Sequence, residues 1–334
     1  MTGAPDSCGR SINYLRISVT DRCNLRCIYC MPSSGVPLLP HRQILSYEEI
    51  HAVVRATVEV GISKIRLTGG EPLVRARLPE LVGMLSRVPG IEEVSLTTNG
   101  ILLRKHAREL KKAGLTRVNI SLDTLKPARF RDITRRGELS TVLDGIEAAK
   151  EAGLHPVKIN MVVMRGVNDD EVLDFARMTV HREWHVRFIE RMPFNGQVDF
   201  FPTAELQEHI GLLGKLEPRV PPLGNGPAAY YRLPGATGTI GFITPLSEPS
   251  FCSRCNRLRL SADGRLRPCL MSEDEIDLRT PLRNNAQLPE LKRLILQAVA
   301  SKPERHHLKE DNATYPKITG AGRVTNRKMS QIGG

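Results

Sequence analysis

The sequence predicts an α/β fold built on parallel strands. Three observations carry this. Strand-like and helix-like stretches alternate about six times over residues 14–192, the rhythm of parallel strands joined by helical crossovers. Each strand-like stretch is apolar on one parity and polar on the other, whereas parallel strands buried on both faces read as apolar throughout. The first strand runs into a loop with three cysteines in eight residues. Six units are too few to close an eight-unit barrel, so an incomplete barrel and an open sheet both remain at this point.

Residues 1–10 read as a loose leader. Leu15-Arg16-Ile17-Ser18-Val19 alternates as a strand does. The loop Cys23-Asn24-Leu25-Arg26-Cys27-Ile28-Tyr29-Cys30 follows. Ser46-Tyr47-Glu48-Glu49 is a capping box, opening a helix with Ile50, Val53, Val54 and Val58 on one face. Lys64–Thr68 is a second strand, ending in Gly69-Gly70-Glu71-Pro72, and Leu78–Val88 is helical. Val94–Thr97 is a third strand, stopped by Asn99-Gly100. Leu103, Ala107 and Leu110 mark a helix closed by Gly114. Val118–Leu122 is a fourth strand, and Val142, Leu143, Ile146 and Ala149 lie on a helix ending near Gly153. Val157–Met161 is a fifth strand, Asp170–Met178 a helix, and Trp184–Phe188 a sixth strand. From Met192 the alternation stops. Residues 195–250 are rich in Pro and Gly and read as short strands and loops.

The polar parity has a consequence. The apolar set must meet the helices, so Arg16, Arg66, Thr97, Asn119, Lys158 and Arg187 must line the inside. Burying that many cations in a dry core is prohibitive without anions. The interior is therefore filled by ligand and water, and is cationic enough for a polyphosphate. The bland alternative is that these residues reach solvent at strand ends or pair with Asp and Glu.

Composition narrows the classes. With 334 residues the chain is long enough for about two domains. No run of eighteen apolar residues occurs, so no membrane span is predicted, and Met1–Asp6 lacks the pattern of a secretory signal. Net charge is +12, which attracts anions. Aromatic residues are only 4%, and no stretch interleaves them with basic residues, which weakens a nucleic-acid reading. Seven cysteines in such a chain are no disulfide scaffold. Six fall into two triplets, which favours metal in a reducing compartment; Cys8 stands alone and has no assigned role.

In the first triplet, Cys23, Cys27 and Cys30, no fourth Cys or His lies within ten residues, whereas structural zinc takes four protein ligands. Three thiolates on a four-iron cluster leave one iron open. The second triplet is Cys252, Cys255 and Cys269. His209 and His306 are its nearest histidines, and either could complete zinc in space. Within it, Asn256-Arg257-Leu258-Arg259 places two guanidinium groups on one side of an extended run, suited to phosphate or carboxylate.

The Cys-x3-Cys-x2-Cys spacing, with Tyr29 before the last Cys, resembles the radical S-adenosylmethionine (SAM) superfamily. Adding Thr68-Gly69-Gly70-Glu71-Pro72, Thr97-Thr98-Asn99-Gly100, Phe251–Arg259, Cys269 and the final Gly333-Gly334, nearly the whole chain resembles the GTP 3′,8-cyclases of molybdenum cofactor biosynthesis. The resemblance implies a partial β/α barrel over residues 14–192, after a leader (1–13). A C-terminal iron–sulfur region (193–322) closes the open side, and a diglycine tail (323–334) follows. It implies conversion of GTP to 3′,8-cyclo-7,8-dihydro-GTP by a 5′-deoxyadenosyl radical, the first step of molybdopterin synthesis. It implies a [4Fe–4S] cluster on Cys23, Cys27 and Cys30 and another on Cys252, Cys255 and Cys269. It places SAM at Tyr29, Gly70, Ser121 and Met192. GTP falls to Arg16, Arg66, Thr97, Lys158, Arg187, Arg257, Leu258 and Arg259, and a catalytic role to Gly333 and Gly334. Arg16, Arg66, Thr97, Lys158 and Arg187 are reached by parity and by resemblance separately. A homodimer, an electron donor, a downstream cyclic pyranopterin monophosphate synthase, a cytoplasmic location, and no nucleic acid or membrane complete the expectation.

Two segments depart from the family pattern. Leu73-Val74-Arg75-Ala76-Arg77 lacks a common acid, and Val198–Phe201 lacks a Trp seen in relatives; both bear on local packing. The competing readings are a radical SAM enzyme acting on peptide or RNA, against which Asn256–Arg259 and the diglycine end argue, and a basic zinc-containing nucleic-acid-binding module, which iron analysis separates.

Overall fold

The structure, a computed structural model, describes residues 3–194, 201–221, 224–306, 327 and 329–333. A short hairpin, β1 (Ala4–Pro5) and β2 (Ser11–Ile12), leads into the repeating units. These are β3 (Tyr14–Ser18), α1 (Tyr47–Val58), β4 (Lys64–Thr68), α2 (Leu78–Ser86), β5 (Glu93–Thr98) and α3 (Leu103–Lys112). They continue with β6 (Arg117–Ser121), α4 (Pro127–Thr134), α5 (Leu139–Glu151), β7 (Lys158–Val163), α6 (Val172–His181) and β8 (His185–Glu190). The C-terminal region holds α7 (Thr203–Gly211), β9 (Glu217–Arg219), β10 (Ala229–Arg232), β11 (Thr239–Ile243), β12 (Arg257–Leu260), β13 (Arg265–Arg267) and β14 (Ile276–Asp277). Helices α8 (Arg279–Arg283), α9 (Leu288–Ala300) and α10 (Met329–Ile332) complete it.

Strands β3 to β8 lie side by side in chain order, all parallel. The C-terminal region adds a parallel strand to each edge, β12 beside β3 and β11 beside β8. Beyond them β13–β14 and β10–β9 run antiparallel. The sheet ends at β14 and β9 and does not close, so the fold is a partial barrel. The predicted C-terminal short strands are present, but they extend the main sheet at both edges.

The apolar parity faces the helices as predicted. Leu15, Ile17, Ile65, Leu67, Leu96, Val118, Ile120, Ile159 and Val186 are fully buried. The predicted capping box starts α1: Ser46 Oγ accepts from the Glu49 N–H at 3.1 Å, and the Ser46 N–H donates to the Glu49 carboxylate at 2.7 Å. The polar parity lies in register across the sheet. Arg259 neighbours Arg16, Arg16 neighbours Arg66, and Arg66 neighbours Ser95. Lys158 neighbours Asn119 and His185, and Arg187 neighbours Asn160 and Gly241. A Cβ at Gly241 would sit 2.9 Å from Arg187 Cγ, so glycine leaves room for that side chain.

The leader differs from the loose segment predicted for residues 1–10. Asp6 and Arg10 form a buried pair, and Gly9 turns the chain with φ +74°. Arg10 donates to the carbonyls of Cys252 (3.0 Å), Pro303 (2.8 Å) and Glu304 (2.9 Å). A guanidinium with its donors engaged by fixed carbonyls orders a polar segment that hydrophobicity cannot.

Candidate active site

The polar face of the sheet borders a cavity of about 310 Å³. Residues of β3 to β8, both cysteine loops and α10 line it.

The first triplet stands in the loop between β3 and α1, with Cys23, Cys27 and Cys30 all lining the cavity. The loop is braced from several sides. Arg26 N–H donates to Thr134 O (2.9 Å) and Ile28 N–H to Ile133 O (2.9 Å), at the end of α4. Tyr29 OH donates to Asp123 Oδ2 at 2.8 Å. Asn99 Nδ2 donates to Asn24 Oδ1 at 2.8 Å, while Glu71 accepts from the Asn99 N–H and the Thr98 hydroxyl, each at 2.7 Å. The Gly-Gly-Glu-Pro and Thr-Thr-Asn-Gly stretches thus bond to one another and to the cysteine loop. Gly70 is required by close approach: a Cβ there would meet Arg22 O at 2.4 Å.

Burial pushes the Cys23 thiol up to about 11, and Cys27 and Cys30 rise well above the usual thiol range for the same reason, reinforced by neighbouring thiols. Buried thiols that discourage one another's ionisation take the thiolate form when a metal supplies positive charge. Among the described residues no group of three His, Cys, Asp or Glu converges as the donors of a single ion do. Three thiols in one loop, with no fourth Cys or His within ten residues, suit a four-iron cluster that leaves one iron open, whereas structural zinc takes four protein ligands.

The second triplet lines the same cavity. Cys252 and Cys255 bracket a tight turn in which the Cys255 N–H donates to Cys252 O at 3.1 Å. Cys269 follows β13, and its sulfur accepts from the Met271 N–H at 3.4 Å. Burial opposes ionisation of Cys255, but Arg257 and Lys302 outweigh it and bring this thiol down to about 6. Asn256 ties the motif to the first strand, donating to Asn13 Oδ1 at 2.9 Å. His209 lies on α7 and does not line the cavity; His306 does, with its ring against Pro245 O at 2.8 Å.

Arg16, Arg66, Lys158, Arg187, Arg257 and Arg259 all line the cavity, with Thr97 among them. Leu258 does not: its side chain is fully buried in the apolar core on the other face of β12, so only its backbone can serve a ligand there. Arg117 also lines the cavity, bonded to Glu93 at 2.6 Å. Sequence reasoning missed Arg117, although it shares the parity of Asn119 and Ser121.

Burial, then the charges of Arg187, Arg117 and Arg66, bring the Lys158 amine down to about 5. Burial likewise lowers Arg187 and Arg259 to about 10. The Arg187 Nε and Nη2 donors are buried without a hydrogen-bond acceptor. Crowded cations, with donors left over, fit a polyanion that the cavity must receive.

Tyr29, Gly70, Ser121 and Met192 also line the cavity. The tail enters it: Met329 and Ser330 are in the lining, and Arg327 is held by Asp263 at 2.9 Å. Gly333 is buried at φ +72°, and its carbonyl accepts from Arg16 Nε at 3.0 Å and Arg259 Nη1 at 3.3 Å. Gly334 and Arg323–Asn326 lie outside the described residues, as do 195–200, most of the segment that departs from the family pattern. A Cβ on Gly333 would meet Thr68 Cγ2 at 2.7 Å, in a backbone conformation side chains disfavour. Gly333→Ala is therefore expected to displace the tail and cut cyclisation at least a hundredfold, with both clusters and SAM affinity retained. Turnover at saturating GTP and SAM checks this; a wild-type rate would make the tail a passive terminus.

The chain matches known proteins over nearly all of its length. Residues 17–179 match the Radical SAM superfamily, and residues 184–308 match Molybdenum Cofactor Synthesis C. The chain is 54% identical to GTP 3′,8-cyclase of Pelotomaculum thermopropionicum over 335 aligned residues, covering 98% of this chain and 99% of that one. It is 53% identical to GTP 3′,8-cyclase of Moorella thermoacetica, again over 98% and 99%. Among solved structures, Streptococcus suis SuiB bound to S-adenosylmethionine superposes with a TM-score of 0.59 at 13% identity, covering 84% of this chain and 68% of that one, a likeness of fold.

Proposed function

The chain belongs to the GTP 3′,8-cyclase family of the radical SAM superfamily, and we propose that the cavity holds GTP between two iron–sulfur clusters with the residues divided as follows. The reaction is conversion of GTP to 3′,8-cyclo-7,8-dihydro-GTP, the first step of molybdenum cofactor biosynthesis. Cys23, Cys27 and Cys30 hold the first [4Fe–4S] cluster, and Cys252, Cys255 and Cys269 the second. When bound, the first cluster and SAM supply a 5′-deoxyadenosyl radical that takes the ribose C3′ hydrogen. The protein orients and excludes water. Tyr29, Gly70, Ser121 and Met192 seat SAM. Arg16, Arg66, Thr97, Lys158, Arg187, Arg257, Arg259 and the Leu258 backbone seat GTP, and Gly333 with Gly334 closes the chamber over it. The observation that carries this reading is that both triplets and all six cations border one cavity.

The same reading divides the chain at residues 13, 192 and 322 and expects a homodimer, an electron donor and a downstream cyclic pyranopterin monophosphate synthase in the cytoplasm. Among the described residues no helix is long and apolar enough to cross a membrane.

Calorimetry tests the GTP assignments. Lys158→Ala and Arg187→Ala should each weaken GTP binding by roughly 1.5–3 kcal/mol, the cost of one charge-assisted hydrogen bond, with SAM binding unchanged. Burial and the charges of Arg187, Arg117 and Arg66 hold the Lys158 amine down at about 5 without ligand, and a bound phosphate would raise it. Binding should therefore take up about one proton, and affinity should fall as pH rises between the free and bound pKa values. Buffers of different ionisation enthalpy read that uptake, and it should vanish in Lys158→Ala. Unchanged GTP affinity in both variants would remove these residues from the GTP site.

A further inference from the structure

The second triplet has a neighbour that the division of roles leaves unused. Lys302 follows α9, is 4% exposed and borders the cavity. Its Nζ donates to Pro268 O at 2.7 Å, the residue before Cys269, and to Arg257 O at 2.9 Å, two residues after Cys255. Among the described residues no carboxylate pairs with it. A buried ammonium without a counter-charge is strongly unfavourable. The anionic chemistry within its reach is that of the cysteines, since its charge acts on Cys252 and Cys255.

Its position is fixed from the other side too. Arg10 donates to the carbonyls of Lys302 (3.4 Å), Pro303 (2.8 Å) and Cys252 (3.0 Å), holding the Lys302 backbone and the Cys252 turn together. Arg10 is neutralised by Asp6. Arg257 also reaches the triplet, its Nη2 standing 3.8 Å from the Cys255 sulfur. Lys302 differs in that its ammonium is tied by hydrogen bonds to the backbone beside both Cys255 and Cys269.

We propose that Lys302 is a positioning residue and the fixed counter-cation of the second cluster: it seats the segments bearing Cys255 and Cys269 and raises the cluster's reduction potential. This rests on the reading that the second triplet holds a [4Fe–4S] cluster. Reduction adds one electron to a cluster whose net charge is already negative with its thiolates. A buried cation stabilises the reduced form more than the oxidised one, and net charge is one of the levers on cluster potential.

The test is an anaerobic redox titration of the full protein followed by electron paramagnetic resonance, with the second cluster's signal assigned from Cys27→Ser. Lys302→Met should lower the reduced-to-oxidised ratio of the second cluster about tenfold at a fixed poise, a shift of roughly 59 mV for one electron. The first cluster should not move. Lys302→Gln keeps donors for both carbonyls and loses only the charge, so it should shift as Lys302→Met does, while Lys302→Arg should titrate like wild type. Wild-type midpoints in both neutral variants would overturn the proposal. Loss of the second cluster in Met and Gln but not in Arg supports it; loss in all three overturns it. A wild-type protein with about four rather than eight iron per chain overturns the second-cluster reading along with it, whereas eight iron with unshifted variants overturns this inference alone.

Discussion

Replacing Cys27 by Ser is expected to abolish 5′-deoxyadenosine formation. Cys27 is the central thiol of the first loop, and its carbonyl accepts the N–H groups of Cys30 (3.0 Å) and Met31 (3.2 Å). The backbone turn survives the substitution because those bonds do not involve the side chain. What is lost is one of three ligands, with no fourth thiol nearby to replace it. Buried hydroxyls bind iron–sulfur clusters poorly where thiolates bind well. The expected result is a folded protein with the second cluster's iron, unable to cleave SAM. Iron content and 5′-deoxyadenosine yield under dithionite check it. SAM cleavage at the wild-type rate would remove the triplet from that chemistry.

Cys269→Ala gives the complementary defect. Cys269 is remote in sequence from Cys252 and Cys255 and is brought to them by the β12–β13 hairpin, in which Arg259 pairs with Arg267. Losing it should strip the second cluster and leave the first loop, which lies between β3 and α1, untouched. SAM should still be cleaved, at a reduced rate. Cyclised product should fall at least a thousandfold, because GTP loses an anchor and misplacement of about 1 Å costs about a hundredfold by itself. Product and 5′-deoxyadenosine measured in one assay separate the two steps. Cyclisation at the wild-type rate would leave the second site a structural one.

Much of the site was legible in the sequence because strand parity is a strict rule. Arg16, Arg66, Thr97, Lys158 and Arg187 fall on the polar parity and line the cavity. The same rule, applied one residue earlier in β6, reaches Arg117. Parity stops at what a partner decides. His185 shares the polar parity yet bonds to Thr239 at 3.0 Å and does not line the cavity. Glu71 looks like a turn residue in sequence, and Asp123 continues the polar parity of Asn119 and Ser121; only the tertiary structure shows them accepting from Thr98, Asn99 and Tyr29, with burial raising them to about 7 and about 6.

The fold was legible over residues 14–192, where local periodicity and crossover rules act together. The C-terminal region was less so. The spacing of Leu291, Leu294, Ile295, Ala298 and Val299 is helical, but nothing local says that α9 packs on α1. Nor does local sequence say that β11 and β12 join opposite edges of one sheet, since those pairings are set by long-range registers. The ordered leader was missed for the same reason: Arg10 reaches residues nearly 300 positions away.

The central claim is that one chamber brings a SAM-derived radical to the ribose of GTP. Incubation of the anaerobically reconstituted protein with SAM, dithionite and GTP deuterated at C3′ tests it most directly. The account predicts 3′,8-cyclo-7,8-dihydro-GTP and 5′-deoxyadenosine in about equal amounts, with the deuterium carried into the 5′-deoxyadenosine. Unlabelled 5′-deoxyadenosine, with GTP recovered unchanged from a protein holding about eight iron per chain, would contradict it.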